Sequence, residues 1–357
     1  MPKEKREKRG DAYARAGVDL DKVRTIQNSL AGLLSPTFES RRGKFGEPTI
    51  RIGHYAGLID IGGNRLLAMH TDGVGTKVLV AQEMRKFDTI GIDCVAMTVN
   101  DLICLGAEPV ALLDYIALEK EDAELVAQLS RGLVVGATDA RVAIVGGETA
   151  IVGDLLRGVD GYGFDLVSMG VGVVKKGALV DGSAIREGDA VVGVASSGLH
   201  SNGYTLARRI VSGKNMDEEV EELGETLGEA LLKPTRIYVQ PTLEALRRRE
   251  VHGIAHITGG AFAKMTRLVG ARKLQFKLGR LEDESAPRIF GFLRREGHLS
   301  DAEMYGTFNM GVGLCLVTPR GEVDAVLRDY RKLGFDGREI GVIKKGEGVV
   351  IGTTRIA

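Results

Sequence analysis

The chain has 357 residues, 44% of them apolar, so it can bury a large core, and its length favours two domains over one. Its 48 basic and 48 acidic residues give a formal net charge of zero, so the total charge indicates neither a nucleic-acid partner nor a membrane surface. Three cysteines without metal-ligand spacing fit a reducing cytoplasm and argue against a disulfide framework.

The first segment, MPKEKREKRG, is densely charged and lacks the apolar stretch of a secretory signal. No run in the chain approaches the ~18 apolar residues of a membrane span. We therefore expect a disordered tail over residues 1–16 and a cytoplasmic protein that does not cross a membrane. The 49 glycines are about twice the usual ~7% share, which predicts many tight turns and close backbone approaches to a ligand.

Hydrophobic periodicity predicts the elements of the first half in order. Apolar residues at helical spacing predict a helix over residues 18–34. The runs GLIDI and NRLLAMH flank Gly62 and Gly63 and predict a hairpin that leads into DGVGTK. A buried helix is expected to follow, capped by Asp88 and ended by Gly106. VALLDYIAL then predicts a strand, DAELVAQLSRGLVVGATDA a helix, VAIVGGETA a strand that runs into a glycine turn, and FDLVSMGVGVVKK a last strand.

A polar stretch rich in glycine and aspartate, KKGALVDGSAIREGD, is the best candidate domain boundary. It divides the chain into an N-terminal domain over residues 17–176 and a C-terminal domain over residues 177–357. In the second, DAVVGVASSG predicts a strand, whereas DEEVEELGETLGEALL, PTRIYVQPTLEALRRR and AFAKMTRLV predict helices. Long helices between strands predict an α+β or mixed-sheet domain.

The segment HTDGVGTK combines a carboxylate, two glycines and a lysine, which suits a metal–phosphate site. Asp72 offers a hard oxygen ligand to Mg²⁺, Gly73 and Gly75 let backbone N–H groups approach phosphate oxygens, and Lys77 can neutralise charge. The spacing is not that of a Walker motif. A hairpin turn with a solvated aspartate and lysine is an equal alternative on spacing alone.

Three polar residues interrupt the apolar helix that follows: Asp93, Asn100 and Asp101. Burying an unpartnered carboxylate costs several kcal/mol, so Asp101 needs a cation, a network of donors or a water-lined cavity. For Asp101 a metal is favoured over a structural pair. For Asp93, which lies eight residues earlier, a second metal ligand and a structural hydrogen bond are equally supported.

Polar residues also stand beside glycines at the predicted strand ends. In VGGETA, Glu148 follows Gly146 and Gly147, so Glu148 could ligate Mg²⁺ and Thr149 could bond a hydroxyl or phosphate. An ordinary turn with an exposed Glu148 is the slightly favoured alternative. In FNMGVG, Asn309 could approach a ligand, although packing is the default role of the adjacent glycines.

SSGLHSNGY places five polar side chains around two glycines at a predicted helix start, an arrangement that suits an anion. They are Ser196, Ser197, His200, Ser201 and Asn202. His200 could shuttle a proton or hold a phosphate, because small shifts move an imidazole pKa of ~6.5 across neutrality. Helix capping by Ser201 or Asn202 is the alternative and is compatible with that use.

HITGGAF similarly puts Thr258, Gly259 and Gly260 before a predicted helix, where they could bind phosphate. His252 and His256 are four residues apart, a spacing that chelates zinc only on a helix. The β-prone residues around them predict a strand instead, which disfavours zinc.

Eight segments in register resemble the signature series of the aminoimidazole ribonucleotide synthetase family. They are DGVGTK, DTIGIDCVAMTVNDL, GAEP, VGGETA, SSGLHSNGY, PTRIYV, VHGIAHITGG and TFNMGVG. The resemblance covers nearly everything from Gly17 to Val350. It implies a two-domain α/β (α+β) fold, in which the N-terminal domain forms a β-barrel at a homodimer interface and the C-terminal domain is α+β. It also implies a cleft between the domains.

By the same resemblance the enzyme is an ATP-dependent cyclo-ligase of purine biosynthesis, and formylglycinamidine ribonucleotide becomes aminoimidazole ribonucleotide with release of ADP and phosphate. ATP activates the formyl oxygen, and the amidine nitrogen closes the ring. Mg²⁺ would be held by Asp72, Asp101 and Glu148, with Asp93 as a further candidate. The catalytic residues would be Lys77, Asp101 and His200.

The resemblance assigns two further sets of contacts. The nucleotide would contact Asp72, Gly73, Gly75, Thr76, Lys77, Asn100, Gly146, Gly147, Glu148 and Thr149. The substrate would contact Ser196, Ser197, His200, Ser201, Asn202, His256, Thr258, Gly259, Gly260 and Asn309.

One region departs from the family pattern. Where a glycine-rich stretch is common, this chain has GHYAGLIDIGGNRLLAMH, in which His54 and Tyr55 could substitute in nucleotide contact. The alternatives are another enzyme of the superfamily, such as a thiamine-monophosphate kinase or selenophosphate synthetase, and a catalytically silent nucleotide-binding scaffold. The presence together of five polar residues argues against the scaffold: Asp72, Lys77, Asp101, Glu148 and His200.

Overall fold

The computed structural model describes residue 17, residues 19–281 and residues 286–357. The predicted disordered tail over residues 1–16 lies outside the described residues. Among the residues that are described, no helix has both the length and the apolar character needed to cross a membrane.

Six strands of the first half form one sheet in the order β1-β2-β3-β6-β4-β5, antiparallel except for the β4–β5 pair. The strands are β1 (Glu47–Pro48), β2 (Gly57–Asp60), β3 (Arg65–Gly73), β4 (Glu108–Leu118), β5 (Ala143–Ile151) and β6 (Phe164–Lys175). The helices are α1 (Leu20–Leu34), α2 (Lys77–Met84), α3 (Ile90–Ile103) and α4 (Ala123–Ala140). These bounds confirm the predicted hairpin, helices and strands of this half.

Helix α3 packs on β3 and β6, and α4 packs on the outer side of α3. Glycine makes this close approach possible, since a Cβ on Gly91 would lie 2.2 Å from Leu133 N. Asp122 caps α4 by accepting from Leu125 N, whereas Asp88 does not cap α3, which begins after Thr89 without a side-chain cap. On the opposite face of the sheet the apolar side chains of Leu113, Tyr115 and Met169 are partly exposed.

A second sheet of seven strands follows in the order β10-β12-β7-β13-β11-β14-β15, with only β11 and β14 parallel. Its strands are β7 (Ala190–Ala195), β10 (Gly253–His256), β11 (Leu274–Leu278), β12 (Val312–Thr318), β13 (Gly337–Lys345), β14 (Gly348–Ile351) and β15 (Thr354–Arg355). Helices α5 (Tyr204–Ile210), α6 (Leu227–Leu232), α7 (Val239–Arg248), α8 (Ile289–Gly297), α9 (Asp301–Thr307) and α10 (Val323–Arg331) accompany it. Every residue of β12 is buried, which places the centre of this core at β12.

Three helix predictions of this half are wrong in part. The acidic stretch begins as a small hairpin of β8 (Glu219–Val220) and β9 (Glu225–Thr226), and only its end is helical. PTRIY is not helical, so α7 starts at Val239. AFAKMTRL forms a 3-10 helix, Ala261–Leu268.

Candidate active site

Lys77 and Asp93 form a buried ion pair between the two halves of the chain. Both side chains are 0% exposed, and Lys77 Nζ lies 2.7 Å from Asp93 Oδ2. Lys77 also donates to Lys233 O at 2.7 Å, and Asp93 Oδ1 accepts from Thr235 N at 2.7 Å and Thr235 Oγ1 at 2.6 Å. Burial lowers the pKa of Lys77, and the charge of Asp93 opposes that shift. Here the ammonium of Lys77 is directed into the protein, against the phosphate role expected from the sequence, and Asp93 forms the structural hydrogen bonds that were an equal alternative to a metal.

Asn100 belongs to the same buried contact between the two halves, which we call the joint. Its Nδ2 donates to Arg236 O at 2.8 Å, and its Oδ1 accepts from Tyr238 N at 2.9 Å. Asp93 and Asn100 are seven residues apart on one face of α3, so both bind the segment that precedes α7. The predicted nucleotide contact of Asn100 is therefore replaced by contacts within the protein.

Asp101, in contrast, lies where the two halves meet in a region that reaches solvent at Asp72, and we call this region the cleft. His256 Nδ1 donates to Asp101 Oδ1 at 2.7 Å, and His70 Nε2 lies 3.4 Å from Asp101 Oδ2 and 3.9 Å from Asp72 Oδ2. The side chain of Asp101 is 4% exposed and that of Asp72 is 38% exposed, so this group opens to solvent at Asp72. His70 and Asp72 share a face of β3 because they are two residues apart on a strand.

Lys264 completes this group, which we call the interdomain cluster: His70, Asp72, Asp101, His256, Thr258 and Lys264. Lys264 is half-buried in the 3-10 helix, and its Nζ donates to Thr258 Oγ1. Gly260, with a φ of 79°, lets the chain turn from Thr258 into this helix. The cluster joins residues of β3 and α3 to residues of β10 and the turn after it.

Two members of the cluster, Asp101 and His70, favour their charged forms despite burial. Burial disfavours the carboxylate of Asp101, but the hydrogen bond from His256 and the nearby His70 and Lys264 outweigh it and lower the pKa of Asp101. Burial likewise disfavours the imidazolium of His70, but Asp72 and Asp101 raise the pKa of His70. Asp101 is therefore an anion at neutral pH, with His256 donating to one carboxylate oxygen and His70 lying beside the other.

The glycine turn before α2 lies at the end of β3. Gly73 is the last residue of that strand, and Gly75 adopts a φ of 70°. Thr76 precedes α2 without capping it, and its Oγ1 lies 3.4 Å from Thr205 Oγ1 at the start of α5. The turn thus lies between the two halves.

The serine-rich loop before α5 is held largely by contacts within the protein. Ser196 Oγ donates to Asn309 Oδ1 at 3.0 Å, and Asn309 Nδ2 donates to Gly198 O at 2.8 Å. Ser197 Oγ donates to Pro234 O at 2.6 Å, and Ser201 Oγ lies 3.3 Å from Thr235 Oγ1. These contacts give the predicted substrate residues Ser196, Ser197, Ser201 and Asn309 structural partners.

His200 and Asn202 extend this loop towards the interdomain cluster. The ring of His200 is fully buried, with its centroid 6.5 Å from that of His256. Burial, followed by the neighbouring charges of His256, Lys77 and Arg236, lowers the pKa of His200 well below its ordinary value, so the ring is neutral. A Cβ on Gly259 would lie 3.2 Å from Asn202 Oδ1, which places Asn202 against the turn after Thr258.

Glu148 is separated from Asp72 by the sheet itself. Across the strands, Asp72 pairs with Ser168, Ser168 with Asp114, and Asp114 with Gly147. Glu148 therefore lies about three strand spacings of ~4.8 Å from Asp72 and points to the opposite face. Two ligands of one Mg²⁺ lie within about 4 Å of each other, because Mg–O bonds are ~2.1 Å long. Within one chain, Glu148 cannot share an ion with Asp72.

The expected turn at VGGETA is also corrected. Gly146, Gly147, Glu148 and Thr149 lie inside the edge strand β5, with Thr149 N donating to Glu148 Oε1 at 2.9 Å. Within the described ranges, no group of three or more His, Cys, Asp or Glu side chains is arranged to hold a metal. The predicted set of four carboxylates is thus dispersed, and only Asp72 and Asp101 lie in one cluster.

Sequence reasoning missed two members of the cluster. His70 had a readable signal, because its spacing of two from Asp72 on a predicted strand puts both side chains on one face. Lys264 lies within a predicted amphipathic helix, where a lysine is ordinarily solvated, and only the tertiary fold brings it to Thr258.

The chain is similar to known proteins along most of its length. Residues 53–174 match the family described as AIR synthase related protein, N-terminal domain, and residues 186–353 match the corresponding C-terminal domain. Phosphoribosylformylglycinamidine cyclo-ligases from Thermococcus gammatolerans and Methanosarcina acetivorans are both 47% identical, over 94% and 86% of this chain and 96% and 88% of their own lengths. A solved structure described as AaThiL complexed with AMPPCP and TMP has a TM-score of 0.63 at 17% identity, covering 91% of this chain and 93% of its own, which shows a shared fold alone. The chain therefore belongs to the phosphoribosylformylglycinamidine cyclo-ligase family and has the two-domain AIR synthase fold.

Proposed function

We propose that this chain uses ATP to convert formylglycinamidine ribonucleotide into aminoimidazole ribonucleotide, ADP and phosphate in purine biosynthesis. The observation that carries the proposal is Asp101, a nearly buried carboxylate of the first domain held by His256 of the second beside the exposed Asp72. The names of the relatives, and their similarity to this chain over most of its length, support the same reaction. AMPPCP, present in a structural neighbour, is an analogue of ATP.

Asp72 and Asp101 fit a magnesium site. Mg²⁺ in phosphoryl-transfer enzymes is bound by one or two carboxylates together with substrate phosphates, and retains water. Asp101 Oδ2 lies 3.4 Å from His70 Nε2, and Asp72 is open to solvent. A magnesium ion bound there supplies charge neutralisation to the phosphates of ATP. Asp93 is not part of this site because it pairs with Lys77, and Glu148 of the same chain is not because it points to the opposite face of the sheet.

The remaining residues position other groups of the site. His256 fixes the orientation of the Asp101 carboxylate through its Nδ1–H. His200 is neutral and fully buried behind His256, so we assign it to packing behind that ring, and its lowered pKa makes it a weak proton acceptor. Asn202, Thr258, Gly259 and Gly260 line the turn that we assign to the substrate. Positioning of the amidine nitrogen against the activated formyl carbon then accounts for most of the rate enhancement.

Turnover by the purified protein tests this function. We expect ADP and aminoimidazole ribonucleotide to form in equal amounts from ATP, Mg²⁺ and formylglycinamidine ribonucleotide. Thiamine monophosphate and selenide serve as controls for the two rival activities of the superfamily. Consumption of ATP with either control, but not with the ribonucleotide, would contradict the proposal.

We further propose that the enzyme is a cytoplasmic homodimer, formed through the open face of the first sheet. Leu113, Tyr115 and Met169 on that face are 39%, 41% and 39% exposed, and Val145 on the edge strand is 65% exposed. Large apolar patches of this kind mark interaction sites. Glu148 points to the same side, so a second copy would meet it. The three buried, unpaired cysteines support a reducing compartment.

Charge on this face is expected to separate the dimer. Met169→Asp places a carboxylate in the middle of the apolar face and should shift the protein from dimer to monomer in sedimentation-velocity experiments. Val134→Asp is the control, since Val134 is 62% exposed on the outer helix α4. A wild-type monomer, or an equal effect of both substitutions, would count against an interface on the sheet.

A further inference from the structure

The cleft needs a positive charge that Lys77 does not bring to it. Phosphoryl transfer requires cationic groups that neutralise the transferring phosphate. Lys77 is fully buried between Asp93 and Lys233 O, so its ammonium stays in the joint between the domains. Lys264 is the lysine whose ammonium lies within the interdomain cluster.

Three features place Lys264 where phosphates would bind. Its Nζ donates to Thr258 Oγ1, so its side chain is directed back over the glycine turn. Burial lowers the pKa of Lys264, and the negative charges of Asp101 and Asp72, the two proposed magnesium ligands, oppose that shift. Its side chain is half-buried and so remains accessible to a ligand in the cleft.

Buried polar atoms around the cluster also indicate a polar ligand. His70 Nε2 makes no hydrogen bond but lies 3.4 Å from Asp101 Oδ2, whereas Tyr55 Oη is buried with no hydrogen-bond partner in the described structure, and Tyr55 is 1% exposed. Buried polar atoms in native proteins are ordinarily paired, so unpaired ones point to a bound group. Arg267, which lies 5.8 Å over the Tyr55 ring, adds a second cation on this side.

We propose that Lys264 binds the terminal phosphate of ATP and stabilises it during transfer, the role that the sequence predicted for Lys77. The inference rests on the proposed function and extends it to a residue that only the fold reveals. Thr258 is the positioning residue, since its hydroxyl holds the ammonium over the turn.

Transfer of the terminal phosphoryl group of ATP to the substrate needs no further reactant. The bond between the terminal phosphorus and the bridging oxygen of ADP breaks, and its electron pair leaves with ADP. A bond forms between that phosphorus and the formyl oxygen of the substrate. Lys264 remains protonated throughout and contributes charge and hydrogen bonds only.

Lys264→Ala, Lys264→Arg and the control Lys273→Ala test the assignment. Lys273 is an exposed lysine nine residues away. We expect Lys264→Ala to lower kcat/KM for ATP by about 100-fold, the scale of losing one transition-state donor. Lys264→Arg should recover part of that loss, and Lys273→Ala should behave as wild type. In calorimetry, Lys264→Ala should weaken AMP-PNP at least about tenfold while leaving ADP unchanged.

The nucleotide comparison separates this inference from the proposed function. Equal affinity of wild type and Lys264→Ala for AMP-PNP would overturn the inference, as would an equal loss for AMP-PNP and ADP. If the wild-type protein does not turn over formylglycinamidine ribonucleotide, the proposed function fails, and the ratio of AMP-PNP to ADP affinity still decides the role of Lys264.

Discussion

Replacing Asp93 by alanine is expected to lower the free energy of unfolding by about 3–5 kcal/mol, the cost of leaving a buried charge without its partner. Lys77 would remain fully buried with only Lys233 O as an acceptor, because its 2.7 Å contact with Asp93 Oδ2 would be lost. Thr235 would also lose the acceptor of its N–H and hydroxyl groups. Urea-induced unfolding followed by circular dichroism measures this change.

Two matched variants distinguish a structural joint from a metal site. Asp72→Ala removes a carboxylate that is 38% exposed, and should change stability by no more than about 0.5 kcal/mol. Lys77→Met combined with Asp93→Leu replaces both charges with apolar groups, and should be less destabilising than Asp93→Ala alone. If Asp93→Ala instead unfolds like wild type and weakens Mg²⁺ binding, Asp93 is a ligand and the joint is misassigned.

The fold was largely predictable because most elements are specified by local patterns. The hairpin before HTDGVGTK was predicted from two β-prone runs around a glycine pair, and the structure has β2 and β3 there. The helix predicted for the acidic stretch was wrong in part because glutamates favour a helix in isolation. Gly224, with a φ of 73°, lies in the turn between β8 and β9, and the capping box of Thr226 and Glu229 starts helix α6. That capping box was readable in the sequence.

The candidate site was less predictable because its assignments depend on distant partners. The sequence identified polar residues within an apolar helix and correctly required partners for them. The sequence could not identify those partners, since Asp93 binds a residue 142 positions away and Asp101 binds one 155 positions away. Local spacing carries no information at such separations. Side-chain direction decides the outcome, because Asp93 and Asn100 face the joint and Asp101 faces the cleft.

Asp101→Asn is expected to fold normally and to lower turnover at least about 100-fold, since it removes a charge that acts on the transition state. The amide keeps the volume of the side chain and an oxygen that can accept from His256 Nδ1, now 2.7 Å from the carboxylate. It removes the negative charge that Mg²⁺ requires in the proposed site. The apparent affinity for Mg²⁺ should therefore fall together with kcat.

A second buried aspartate–histidine pair provides the control. Asp189 Oδ2 accepts from His252 Nδ1 at 2.7 Å, with side chains 3% and 4% exposed, and the pair is not part of the interdomain cluster. Asp189→Asn should resemble Asp101→Asn in thermal unfolding but retain turnover and Mg²⁺ dependence. Because the two pairs match in distance and burial, a loss of turnover confined to Asp101→Asn can be attributed to charge in the cleft. Wild-type kcat and Mg²⁺ dependence in Asp101→Asn would refute the proposed metal site.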